Sequence, residues 1–212
     1  MDVRELRPGL WRWTAPHPDW RPEYTGWGPD VASVAVTGAE LVLIDPLVPG
    51  DDDRERFWQA LDRDVERDGR PHVLLTVPWH RRSAAEILMR YEGARLWLYE
   101  GAEPEGLEPT ARFGWGDELP GGLRAFDGHW MNEAVFWLPE HRALVTGDSV
   151  LGAPGGGVQT CPDSWLPEGM TQAELRDALR PLLELPIEVI LPAHGEPVLD
   201  DAHAALARAL EV

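Results

Sequence analysis

Lysine is absent from this chain: all 19 basic residues are arginine. A lysine nucleophile or Schiff base is therefore excluded. Cysteine occurs once, at Cys161, which rules out an internal disulfide and any cysteine-rich zinc site. No apolar run approaches the roughly 20 residues that span a bilayer. No apolar segment follows a basic start, so the sequence shows no signal peptide. Positive charge is scarce: 37 acidic residues against 19 basic give a formal net charge of -18. Nucleic acid and anionic membrane both need clustered positive charge, so neither is expected as a partner. A Gly-x-Ser-x-Gly elbow is missing, and Gly155-Gly156-Gly157 lacks the Lys-Ser/Thr of a phosphate-binding loop. These absences leave a cytoplasmic protein with one domain over 1–212 as the expectation.

What is present reads as alternating strand and helix. Val31 to Val36 has strand patterning, and Leu41-Val42-Leu43-Ile44 is a continuous apolar run ending at Asp45-Pro46. Residues 52–68 place Phe57, Leu61 and Val65 four apart on one helical face. His72 to Thr76 predicts a further buried strand. Ser83 to Tyr91 predicts a helix, with Ser83 as N-cap and Glu86 as its capping-box partner. Leu10 to Trp27 reads as an edge strand running into an irregular loop that carries His17 and Tyr24. Later, Ala134 to Leu138 and Ala143 to Val145 predict a hairpin. Thr171 with Glu174 predicts a capped helix extending to Leu185, and Val189 to Gly195 predicts a last strand before a C-terminal helix. The class is α/β.

Three motifs stand at strand ends in the second half: Gly128-His129, Thr146-Gly147-Asp148 and Pro192-Ala193-His194-Gly195. In order and spacing they resemble the metallo-β-lactamase fold superfamily, and the resemblance covers nearly all of residues 31 to 212. It implies a four-layer αββα sandwich with hydrolase chemistry at one edge. It also implies a pair of zinc ions bridged by the residue at Asp148.

The first half departs from that pattern. The segment Thr76-Val77-Pro78-Trp79-His80-Arg81-Arg82 stands where the family reads Thr-His-x-His-x-Asp-His. An ungapped match puts Val77, Trp79, Arg81 and Arg82 on the four ligands. None commonly ligates zinc, and guanidinium stays protonated at any workable pH. The resemblance then leaves His129, Asp148 and His194, too few for two metals.

Two readings follow. In the first there is no metal cofactor: Arg81 or Arg82 pairs with Asp148 as its counter-charge, and the pocket stays empty or binds a small anionic molecule. In the second, one zinc or other divalent metal sits on His129, Asp148 and His194. Arg81 or Arg82 then binds a small anionic ester, thioester or lactone. His80 with Asp148 is a candidate general-base pair under either reading. Trp79 is expected to fill the volume of the missing histidine with apolar surface, and Cys161 to be buried and inert. Cys161 to Met170, with Trp165, is expected to form a lid or a homodimer contact.

Overall fold

The apolar run at Leu41 to Ile44 needs both its faces covered, and the fold covers both. Leu41 and Leu43 pack towards helices, while Val42 and Ile44 point into the space between two sheets. The computed structural model describes residues 1–24, 26–103 and 106–211.

The first sheet has seven strands in sequence order. They are β1 (Asp2–Arg7), β2 (Leu10–Pro16), β3 (Asp30–Val36), β4 (Val42–Ile44), β5 (His72–Leu74), β6 (Arg95–Tyr99) and β7 (Ala111–Phe113). β1 to β4 pair antiparallel, and β4 to β7 pair parallel. Helices α1 (Asp51–Asp68) and α2 (Ala84–Arg90) supply two of the crossovers that parallel pairing needs.

The second sheet begins with β8 (Glu118–Leu119), β9 (Leu123–Asp127), β10 (Ala134–Leu138) and β11 (Ala143–Thr146). A hairpin of β12 (Val150–Gly152) and β13 (Val158–Thr160) follows, then α3 (Gln172–Leu179), β14 (Val189–Pro192) and α4 (Ala202–Glu211). β14 joins the second sheet parallel to β11.

Three apolar clusters define the layers. One lies between α1, α2 and the first sheet, with Phe57, Leu61, Val65 and Ile87. The second lies between the sheets and joins Val34, Ile44 and Leu74 to Ala125, Phe136 and Leu191. The third lies under α3 and α4, with Leu175, Leu179, Leu206 and Leu210. The result is the expected αββα order. No helix among the described residues is long and apolar enough to cross a membrane.

Several local expectations need correction. Leu10 begins an interior strand, because β1 covers its outer side; the polar, largely exposed Asp2–Arg7 carries too little apolar alternation to be read as a strand. Ser83 does not cap α2: its Oγ accepts the Val48 N–H, and Glu86 pairs with Arg54. α3 ends at Leu179 and tightens into a 3-10 turn over Arg180–Glu184, where Pro181 stops the α-helix. The Thr171–Glu174 capping box is present.

The topology places two parallel strand pairs, one in each sheet, with their C-terminal ends at a common edge. β4 and β5 lead into Asp45 and Thr76; β11 and β14 lead into Gly147 and Ala193. Backbone bonds tie the sheets together there. Ala32 N–H donates to Ala193 O at 2.8 Å, and Ala134 N–H donates to Thr76 O at 2.6 Å.

Candidate functional site

Asp148 follows β11 through Gly147, in a turn with no room for a side chain at the glycine. A Cβ on Gly147 would stand 2.8 Å from Thr76 Oγ1. The turn is held from beneath by Glu133, which is fully buried. Its carboxyl oxygens accept N–H bonds from Gly147 (3.0 Å), Asp148 (3.1 Å) and Ser149 (2.7 Å), and the Ser149 hydroxyl at 2.8 Å. Burial and the nearby Asp148 charge push the Glu133 carboxyl up to about 8, against the pull of these donors.

Asp45 ends β4 with φ 48, a left-handed conformation that an aspartate tolerates better than most residues. Its carboxylate accepts the Thr76 N–H at 2.8 Å and the Thr76 hydroxyl. It also lies 2.9 Å from His80 Nδ1. This bond fixes the ring, so that His80 Nε2 faces Asp148 Oδ1 at 3.4 Å. His194, at the end of β14, brings its Nε2 to the same oxygen at 3.2 Å. The Trp79 indole N–H donates to the other oxygen, Oδ2, at 2.9 Å.

His80, Asp148 and His194 therefore converge, with one ligand atom from each lying within 4.8 Å of the others. All three are buried. Asp148 Oδ1 and His194 Nδ1 make no hydrogen bond and have almost no solvent contact. The two imidazoles thus sit at ion-pair distance from Oδ1 without hydrogen-bond geometry.

The electrostatics assign the charges. Burial opposes protonation of His80, but the Asp148 and Asp45 carboxylates outweigh it and lift the imidazole to about 9. Burial would likewise raise Asp148, yet the flanking imidazoles hold its carboxyl well below the usual range. For His194 burial wins, and its pKa falls below the ordinary value despite Asp148. At neutral pH the site holds an imidazolium at His80, a carboxylate at Asp148 and a neutral imidazole at His194.

This arrangement differs from the sequence expectation in three ways. His129 stands outside the group; it is exposed and faces Asp127 at 3.4 Å. Left-handed backbone at His129 (φ 54), Met131 (φ 43) and Asn132 (φ 63) carries this turn. The buried Trp130 between them lines the pocket, donates to Trp165 O at 3.0 Å and meets Trp79 edge-on. Arg82 lines the same pocket but makes no ion pair with Asp148 among the described residues. Its Nη1 donates to the carbonyls of Ala32 and of Asp45, the latter at 2.8 Å, bracing the strand ends behind the site. Arg81 is exposed and lines an adjoining cleft with Asp19 and Glu103. Trp79 is 43% exposed, so it rims the pocket and does not plug it.

Asp45 and Glu133 were missed as site residues. The signal for both is a carboxylate flanking an apolar strand run, at Ile44-Asp45 and Glu133-Ala134. Val77 lies in the core under α3 and α4, and Cys161 is buried there as expected.

Above His80, Asp148 and His194 is a cavity of about 280 Å³ walled by Trp27, Trp79, Trp130 and Trp165, with His17 at its edge. Trp27 and Trp165 both present edges to the His194 ring. Tyr24 stacks on Trp27 from outside at 5.9 Å.

No family model and no curated protein matches the sequence. Solved structures do match. A metallo-beta-lactamase from Pontibacter korlensis superposes with a TM-score of 0.72 at 17% identity, covering 99% of this chain and 98% of that one. The chain has the metallo-β-lactamase fold. A metallo-beta-lactamase family protein from Thermus thermophilus gives a TM-score of 0.65 at 20% identity, covering 97% of this chain and 79% of that one. The metallo-beta-lactamase FIM-1 from Pseudomonas aeruginosa, solved in its mono-zinc form, gives 0.67 at 16% identity, covering 99% and 94%. At these identities the likeness establishes the metallo-β-lactamase fold; the chemistry has to be read from the residues.

Two outcomes follow from the geometry. His80 is raised from 6.5 to about 9 on folding, so its ion pair contributes fully below about pH 6.5 and is lost as pH rises through about 9. Urea unfolding of chelator-treated protein should show stability falling across that window, and His80→Gln should flatten the fall. Equal slopes in both proteins would contradict the assignment. Glu133→Gln turns an amide N–H₂ towards backbone donors and should cost ~2–4 kcal/mol in the same assay. A change below about 0.5 kcal/mol would show that the four bonds are dispensable.

Proposed function

We propose that the protein is a hydrolase of small carbonyl substrates, an ester, thioester or lactone, working with one divalent metal on His80, Asp148 and His194. The observation that carries the proposal is the convergence of two imidazole Nε2 atoms on one carboxylate oxygen that lacks a hydrogen bond. Two histidines and one carboxylate, with an open position for water, are a known catalytic zinc set. The mono-zinc form of FIM-1 is a precedent on the same fold for a single ion.

A bound divalent metal supplies Lewis acidity and a water of lowered pKa. The chain's own residues do the rest. Asp45 holds His80 through Nδ1, the carboxylate–histidine support that orients a ligand ring. Glu133 fixes the turn from which Asp148 projects. The Trp79 indole N–H occupies Asp148 Oδ2, and neither Val77 nor Trp79 provides a donor of the zinc-binding kind. One metal is therefore the number the site supports. The indole walls present apolar surface to the cavity and favour a substrate with an apolar or aromatic part.

A second, metal-free reading rests on one specific observation. His80 lies between Asp45 and Asp148, as a general base held by a carboxylate would. In that reading His80 takes the proton of an attacking water once it has lost its own, so metal-free activity would rise as pH passes through about 9, and Asp148 stabilises the imidazolium that forms.

Metal analysis of protein purified without a polyhistidine tag separates the two. We expect about one equivalent of zinc, manganese or iron, lost in Asp148→Ala and His194→Ala and unchanged in His129→Ala. Esterase activity against aryl acetates should vanish with chelator and return with zinc. Protein that takes up no metal from excess zinc yet hydrolyses aryl esters would support the second reading and overturn the first.

A further inference from the structure

On the side of the molecule formed by α3, α4 and the β12–β13 hairpin, a cleft of about 580 Å³ is lined by Arg176, Arg208, Ala205 and the loop Gly155-Gly156-Gly157. The three glycines are consecutive and all left-handed, with φ of 86, 107 and 81. Few side-chain-bearing residues accept that backbone, so one wall of the cleft is bare main chain. The N–H groups of Gly155 and Gly157 bond to nothing among the described residues; only Gly156 N–H is used, on Ala153 O at 3.1 Å.

The two arginines point to an anion. The chain has 37 acidic residues, and many of its arginines pair with them. Arg54, Arg67, Arg90, Arg112, Arg142 and Arg180 each hold a carboxylate. Arg176 and Arg208 face one cleft from two helices, and neither guanidinium has a hydrogen bond or ion pair among the described residues. The Arg176 Nε is buried without a partner, so this side chain is committed to the cleft and not extended into water. Two like charges facing one cavity repel unless an anion lies between them. Guanidinium forks match phosphate geometry bidentately, and a glycine loop lets an anion approach main-chain N–H groups closely.

We propose that this cleft binds a phosphate-type dianion, free or carried as the monoester of a small molecule, between Arg176, Arg208 and the Gly155–Gly157 loop. The site is separate from the His80–Asp148–His194 group and shares no lining residue with that pocket. It connects to that group through the hairpin, where Gly152 N–H donates to His194 O at 2.9 Å.

The test titrates the full chain with inorganic phosphate and, separately, phenyl phosphate. Amide NMR reads the glycine resonances and thermal unfolding runs alongside. We expect saturable movement of the Gly155 to Gly157 amides and a raised Tm, both weakened by added sodium chloride. Arg176→Gln and Arg208→Gln should each reduce affinity about tenfold or more. Tighter binding of phenyl phosphate identifies a monoester ligand, and equal binding identifies the free ion. Arg208 is exposed, so its variant leaves the fold intact and keeps the test decisive even where Arg176→Gln unfolds. Glycine amides that do not move, movement that never saturates, or wild-type affinity in Arg208→Gln would overturn the proposal.

Discussion

A buried carboxylate has to be neutralised, and at Asp148 the neutralising partner decides what the site is. Asp148 lies within reach of three groups: an imidazolium at His80, a neutral imidazole at His194 and the Trp79 indole N–H. Asp45 adds a second carboxylate behind His80, which makes the imidazolium stable in a site that burial alone would discharge. The positive charge at ion-pair distance from Asp148 belongs to histidine. The arginines of the same segment do other work: Arg82 braces backbone carbonyls, and Arg81 lies in the neighbouring cleft. A proton on His80 and a cation held by His80, Asp148 and His194 satisfy the same electrostatic need, and each excludes the other.

That need is met by elements the fold already provides. Parallel strand pairs in both sheets end at one edge, and four site residues leave from those ends or from the loops just beyond them: Asp45, His80, Asp148 and His194. Close backbone approach is then what fixes their spacing. Gly147 lets the Asp148 turn sit against Thr76. Gly195, at φ 90, packs its Cα against Gly152 where a Cβ would be 2.8 Å away. Glu133 converts this turn into a rigid support by collecting three N–H groups and a hydroxyl on one carboxyl. The polar contacts are dense because these side chains are buried, and burial leaves little tolerance for an unpaired group.

Much of the fold was legible in the residues. The apolar run at Leu41 to Ile44, the helical spacing of Phe57, Leu61 and Val65, and the capping box at Thr171 all express local rules that tertiary structure leaves standing. The strand-end motifs at Asp148 and His194 also survive, because short turns after buried strands leave their side chains few directions. The motif positions at 77 to 82 and at 129 were less legible. A sequence register says which residue occupies a position, and left-handed backbone at Arg82, His129, Met131 and Asn132 re-aims side chains without changing that register. His80, a spacer in the ungapped register and a general-base candidate beside Asp148, is the residue of this segment that points at Asp148 and His194. Asp45 and Glu133 flank apolar strand runs, but their roles are hydrogen bonds to partners 31 and 14 to 16 residues away, which the flanking position does not specify.

We propose that His80, Asp148 and His194 hold one metal ion with no second ion beside it. Crystals soaked in zinc and measured at the zinc absorption edge test it most directly. We expect a single anomalous peak within bonding distance of His80 Nε2, Asp148 Oδ1 and His194 Nε2, with His80 still held by Asp45 through Nδ1. A pair of peaks, a peak at His129, or no peak with His80 remaining between the two carboxylates would contradict it.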